Sequence, residues 1–167
     1  MAVLPITVLG DAVLRQRAKR VSQVDGSIQR LVESMIETMR DTGGVGLAAP
    51  QVGVPLRVVV IAMPGEEVIT LINPEIVKRS GERTVTEGCL SVPGYWAEVT
   101  RSVSVTVKGR DLQGHQVRIK AKDDLLAQAL EHEIDHINGV LYIDHLESLD
   151  ELRKVVPETE GEVSAEL

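Results

Sequence analysis

The segment from Asp123 to Asn138 has few ways to fold other than as a helix enclosed on every side. Its apolar residues Leu125, Leu126, Ala127, Ala129, Leu130, Ile134 and Ile137 spread around much of the circumference, where a surface helix would keep one stripe. Acidic residues open it at the positive end of the helix dipole, and Asn138-Gly139 supplies a stop. Within it stands His132-Glu133-Ile134-Asp135-His136, whose two imidazoles are four residues apart and so lie on one face, one turn above the other. Two imidazoles so placed can grip one cation. Glu133 sits beside that face, within reach of a water on the cation and badly aimed to be a ligand, which is the position of a general base. The bland alternative is a helix with two satisfied core histidines, but neutral imidazoles buried with nothing to bond are costly.

A catalytic centre of this kind takes three protein ligands and leaves one position open. Downstream, the next imidazole is His145, beyond the Gly139 turn and without the glycine-containing spacing of extended zincin motifs, so it reads as a surface residue. Upstream, the lone Cys89 sits in Glu87-Gly88-Cys89-Leu90-Ser91, followed by Pro93-Gly94, where backbone can approach a site closely. With one cysteine there is no internal disulfide, and from the residues alone Cys89 reads equally as a thiolate ligand or as a small buried hydrophobe.

Ile28, Leu31, Val32, Met35, Ile36 and Met39 repeat with helical period between Ser27 and Arg40, which predicts an amphipathic helix that ends at Gly43-Gly44. Residues 1–24 read as an arm over the core. Strands are expected over Arg57–Met63, Val68–Asn73, Pro74–Arg79, Val103–Lys108 and Gln116–Lys120, the last two joined by a hairpin turn across Asp111–Gly114. Gly46-Leu47-Ala48-Ala49-Pro50-Gln51-Val52-Gly53 is too apolar for an ordinary loop and too punctuated for a helix, as though held close against something. With no Phe, the core must be aliphatic. A formal charge of -7 excludes a nucleic-acid-binding surface spread over the whole molecule and leaves room only for a local basic patch. No membrane-length apolar run and no signal-peptide pattern is present, so a cytoplasmic protein is expected. One domain is expected over residues 1–150, followed by an acidic tail over 151–167 whose last ten residues read as disordered.

Three motifs, Gly44-Val45-Gly46-Leu47-Ala48-Ala49-Pro50-Gln51, Glu87-Gly88-Cys89-Leu90-Ser91 and His132-Glu133-Ile134-Asp135-His136, occur in this order, and together the chain resembles the peptide deformylase family. The likeness extends to Gly10–Arg15 and Gly139–Leu141 and covers roughly residues 5–146. It implies an α+β fold, a central metal-binding helix surrounded by antiparallel β-sheets, with an N-terminal amphipathic helix. It further implies hydrolysis of the N-formyl group of formyl-methionyl nascent chains during protein biosynthesis. One divalent metal would be held by Cys89, His132 and His136, usually Fe2+ in this family, with Zn2+, Ni2+ or Co2+ able to replace it. Catalytic roles fall to Glu133 as base, and to Gln51 and the Leu90 N–H as donors to the oxyanion. Gly46 would pair with the peptide, and Val45, Val85, Leu125 and Ala129 would line a methionine-sized pocket. Glu87 and Arg101 are expected to steady the Cys89 loop as an ion pair.

Three departures stand out: Glu131 where Gln is usual, Gln128 on the pocket face where an apolar residue is common, and Trp96 near the cleft mouth in place of Arg. Gln128 would then permit polar first side chains. A nascent-chain substrate implies transient ribosome contact, with no direct nucleic-acid binding and no membrane. The competing readings are a zincin-like metallopeptidase and a non-catalytic deformylase-like protein that binds peptides around a structural metal.

Overall fold

The computed structural model describes residues 2–155, so the last ten residues, read above as disordered, lie outside the described residues. Helix α1 spans Gly26–Thr42, slightly longer than the apolar period marks. Asp25 caps it, accepting from the N–H groups of Ser27 (2.9 Å) and Ile28 (3.2 Å), and Gly43 ends it at φ 73°. Its buried stripe of Ile28, Val32, Met35 and Met39 packs with Leu47, Val58, Val60 and Ile72.

The strands are β1 (Gly46–Ala48), β2 (Val58–Ile61), β3 (Ile69–Ser80), β4 (Arg83–Cys89), β5 (Val92–Arg101), β6 (Ser104–Arg110), β7 (Gln116–Lys122) and β8 (Arg153–Lys154). They form a five-stranded sheet in the order β1-β2-β3-β6-β7 and a three-stranded sheet in the order β4-β5-β8, all pairs antiparallel. The two strands expected on either side of Pro74 are one, β3. Asn73 takes a left-handed φ of 52° and the register shifts there, so the chain absorbs the proline in an irregularity. The Asn73 side chain also donates to the carbonyl of Val21 and accepts from its N–H, both at 2.8 Å, which pins the N-terminal arm to the sheet. At the other end, Arg153 and Lys154 pair with Trp96 and Tyr95, so the ordered fold continues into the segment read as tail.

Helix α2 (Leu125–Ile137) is capped by Asp124, which accepts from the Ala127 N–H at 2.8 Å. Ala127, Ala129, Leu130, Ile134 and Ile137 meet Val59, Ile61, Leu71, Val105 and Val107 of the large sheet in one core cluster. Arg57 holds the far end of the helix, donating to the Ile137 carbonyl (2.9 Å) and to Asn138 Oδ1 (2.8 Å). At Gly139, φ is 78° and a Cβ would lie 2.9 Å from the Arg15 carbonyl. Gly139→Ala is therefore expected to cost about 1–3 kcal/mol, read as a lowered Tm. An unchanged Tm would show that the 12–16 segment yields freely.

Candidate metal centre and active site

α2 carries His132 and His136 into the interior, and the end of β4 brings Cys89 to them. All three are buried, and their donor atoms lie within 4.8 Å of one another. Cys89 Sγ is 3.3 Å from His136 Nε2, which is 3.2 Å from His132 Nε2. Metal–nitrogen bonds of ~2.0–2.1 Å at a tetrahedral angle put two nitrogens ~3.3 Å apart. The donor set thus fits one divalent ion, and a thiolate with two imidazoles suits Fe, Zn, Ni or Co and not Mg or Ca.

The surrounding residues fix how the ligands present themselves. His132 Nδ1 donates to Glu87 Oε1, because an ionised carboxylate only accepts; this leaves the Nε2 lone pair facing the cluster. Burial alone would push Glu87 toward its neutral form, but His132 and then Arg101 hold it well below the usual carboxylate range. Arg101 grips both Glu87 oxygens, with Nε at 3.0 Å from Oε2, and reaches Asp135 Oδ2 at 2.7 Å. The expected Glu87–Arg101 pair is present, and it belongs to a longer chain that ends at exposed His145, 2.8 Å from Asp135. Asp135 and His145 were missed from sequence as part of this chain. The motif itself contained Asp135, but its partner lies on β5, 34 residues away.

Glu133 has no exposed surface, and neither carboxylate oxygen has a partner among the described residues. Burial pushes its pKa up to about 7. Such a group is costly in a core and useful beside a site that takes up a water and a departing amine. Gly46 on edge strand β1 lies directly against it. A Cβ there would collide with Glu133 Oε2 and come within 3.0 Å of Cδ. Gly46→Ala is expected to lower kcat by on the order of 10–100-fold at unchanged metal content, since the carboxylate must swing aside. An unaltered kcat would mean that its position is not critical.

Gln51 follows β1 in a short 3-10 turn and is fully buried. Its Oε1 accepts from the Ala48 N–H at 3.0 Å, while Nε2 donates to Ser91 Oγ at 3.2 Å and faces Cys89 Sγ at 3.6 Å. Leu90 occupies the turn between β4 and β5 next to Cys89. The N-terminal arm ties the two segments together, Thr7 N–H donating to the Gln51 carbonyl and Leu9 N–H to that of Ser91, both at 2.8 Å.

Val45, Leu125 and Ala129 meet in the α2 core cluster, whereas Val85 packs with the group around Cys89, Val92 and Val99. Gln128 does not offer its N–H groups to a pocket: Nε2 donates to the Thr86 carbonyl (2.9 Å) and to Glu87 Oε2 (3.2 Å). Glu131 accepts from the Ser102 N–H (2.7 Å) and hydroxyl (3.1 Å) and from Arg79 (3.2 Å), a set of donors that suits a carboxylate at this position. Trp96, half-buried, lies across from Gly88 on one side and Arg153 on the other.

A central helix clasped by antiparallel sheets, with a Cys-His-His centre and an unpaired buried carboxylate beside it, defines a metal-dependent hydrolase of α+β architecture. The sequence profile described as polypeptide deformylase matches residues 3–152. A peptide deformylase of Dehalococcoides mccartyi (strain CBDB1) is 55% identical over 161 residues, 96% of each chain, and one of Thermomicrobium roseum is 46% identical, covering 99% of this chain and 98% of its own. Among solved structures, the Legionella pneumophila peptide deformylase superposes with a TM-score of 0.86 at 47% identity, over 90% of this chain and 89% of its own. That of Synechococcus elongatus in complex with actinonin gives 0.86 at 41% identity, over 90% and 82%. The chain belongs to the peptide deformylase family, metal-dependent hydrolases that act on a formyl amide.

Proposed function

We propose that this centre removes the formyl group from formyl-methionyl nascent chains with Glu133 as its acid–base group and Fe2+ on Cys89, His132 and His136. The observation that carries the assignment is the buried, unpartnered Glu133 carboxylate set between that ligand cluster and the edge strand at Gly46. A divalent ion held by Cys89, His132 and His136 would supply Lewis acidity, making a nearby water more acidic. Glu133 takes the proton from that water as its oxygen adds to the formyl carbon, and returns it to the amine nitrogen as the C–N bond breaks. Formate and a free amino terminus leave. The Leu90 N–H and the Gln51 amide, one N–H of which is already turned toward Cys89 Sγ, stabilise the charge on the oxygen.

The substrate backbone adds to β1 at Gly46 as a further strand, and Val45, Leu125, Ala129 and Val85 receive the methionine side chain. Gln128 has its amide nitrogen committed to Thr86 and Glu87, which favours an unaltered preference for methionine. Action on nascent chains places the protein in the cytoplasm with transient ribosome contact. Residues 1–150 act as one catalytic domain, with the acidic segment after it as a tail.

The test is anaerobic turnover of formyl-methionyl and acetyl-methionyl peptides by protein loaded with Fe2+, Ni2+ or Zn2+. Formate release from the formyl substrate alone is expected, fastest with Fe2+ and lost after peroxide treatment of that form. Metal-loaded protein that releases no formate in any form would leave only peptide binding. Cleavage of internal, unformylated bonds would point to the zincin-like alternative.

A further inference from the structure

At β1, β2 and the start of β3 the large sheet is covered on both faces, by α1 on one and α2 on the other, whereas toward β6 and β7 the face away from α2 is exposed. Val105, Val107 and Ala121 point inward to Ala127, Leu130 and Ile134 of α2. By register, Lys122, Lys120 and Arg118 of β7 stand opposite Ser104, Thr106 and Lys108 of β6, and Lys78 of β3 stands opposite Thr106. Lys78, Lys108, Arg110, Arg118, Lys120 and Lys122 are exposed on this outer face of a chain whose formal charge is -7. Two grooves of about 470 Å³ each run along it and share Arg118. The one carboxylate lining them is Glu75, spent on Lys108 at 3.1 Å, while Lys78, Arg118, Lys120 and Lys122 make no ion pair among the described residues.

Protection of an edge strand explains cations on β7, because Lys there discourages strand addition. It does not explain Lys78, Lys108 and Arg110, which lie on the interior strands β3 and β6. Lys108 is balanced by Glu75, but Lys78, Arg118, Lys120 and Lys122 have no carboxylate partner among the described residues, and like charges gathered on neighbouring strands are unfavourable unless an anion lies over them. We infer that this face binds the phosphate backbone of double-helical RNA. Alternate residues on β7 set its cations ~7 Å apart, and Lys78 and Lys120 stand ~10 Å apart across β6, a spacing suited to a helical backbone.

The face carries none of the chain's aromatic residues, Tyr95, Trp96 and Tyr142, so it has no platform for stacked single-stranded bases and no wedge for a lipid surface. Among the described residues of β3, β6 and β7, Val77 is the one large apolar side chain that is exposed, too little for the apolar centre a protein partner would bury. Among the described residues no helix or ribbon projects from β3, β6 or β7 to enter the major groove of DNA, whereas the wide, shallow minor groove of A-form RNA can lie on an exposed sheet surface with its 2′-hydroxyls against Ser80 and Ser104. Because α2 packs on the opposite face, RNA held here leaves the metal centre open.

The proposal is independent of the formyl-peptide assignment, and its test reads both separately. A labelled RNA duplex of about 16 base pairs is titrated with the metal-loaded enzyme across a salt series, beside a DNA duplex of the same sequence, poly-glutamate and anionic phosphatidylserine vesicles. Micromolar RNA binding is expected at low salt, weakening by ~0.9 log unit per tenfold salt for each phosphate engaged. The triple variant Arg118→Ser, Lys120→Ser, Lys122→Ser is expected to bind at least ~10-fold more weakly with a slope smaller by ~3, and Lys78→Glu on the neighbouring strand to weaken binding likewise. Turnover of a soluble formyl dipeptide should stay at the wild-type rate in both variants, which shows that they fold. Absence of RNA binding at low salt, full affinity in the folded variants, or tighter binding of DNA, poly-glutamate or vesicles would each overturn it.

Discussion

Replacing Glu133 with Gln is expected to leave the metal bound and lower turnover by on the order of 10²–10⁴-fold. The amide keeps the shape of the carboxylate but cannot take a proton from water or hand one to the leaving amine. Metal retention follows because the ligand atoms belong to Cys89, His132 and His136, and Glu133 is not among them. Stability should move the opposite way in metal-free protein. A carboxyl whose pKa rises from 4.5 to about 7 on folding is penalised whenever it is charged in the folded state. The penalty is absent below the unfolded value, grows as pH rises between the two, and is complete above about 7, where it approaches about 3 kcal/mol. The Tm of Glu133→Gln should therefore match the wild type at pH 4 and exceed it at pH 8. A variant that loses its metal, or a Tm difference that does not grow with pH, would remove Glu133 from the role assigned to it.

What could be read from the sequence was what is local in it. α2 was legible because its apolar period, its caps and both histidines lie in one stretch of chain, and α1 for the same reason. β4 and β5 were not foreseen as strands. Gly88 and Pro93-Gly94 break their alternation, and what holds them is register across the pair, from Arg83 opposite Arg101 to Cys89 opposite Val92. The break expected at Pro74 was a real conformational event, visible in the left-handed Asn73, but its neighbours continued the same strand because β6 pairs on both sides of it. Of the site, the ligand cluster expected from the three motifs is assembled as a cluster. Gln128 shows the limit: helical spacing says which face it is on, but the direction of its amide is decided by Glu87, 41 residues earlier.

The same distance in sequence hides the interaction that matters most for holding the centre together. Arg101 is nearly inaccessible and is the cation for the buried Glu87 and the partly buried Asp135, so Arg101→Ala leaves Glu87 with His132 alone and Asp135 with His145 alone. The expected cost is ~3–5 kcal/mol. Glu87 would still accept from His132, but its grip on that ring would loosen and metal affinity should fall by roughly 10–100-fold. Glu87→Gln should lower metal affinity comparably, since an amide accepts more weakly from His132 Nδ1 and meets Arg101 with the wrong group on one side. The double variant Glu87→Gln, Arg101→Met removes both charges together, and its loss of stability should fall well short of the sum of Glu87→Gln and Arg101→Met, by ~1–3 kcal/mol, because the residues act as a unit. Urea unfolding with metal content assayed on each variant measures both quantities. Strict additivity, or full metal retention in Arg101→Ala, would mean that β4 holds Cys89 and His132 in place without its partner from β5.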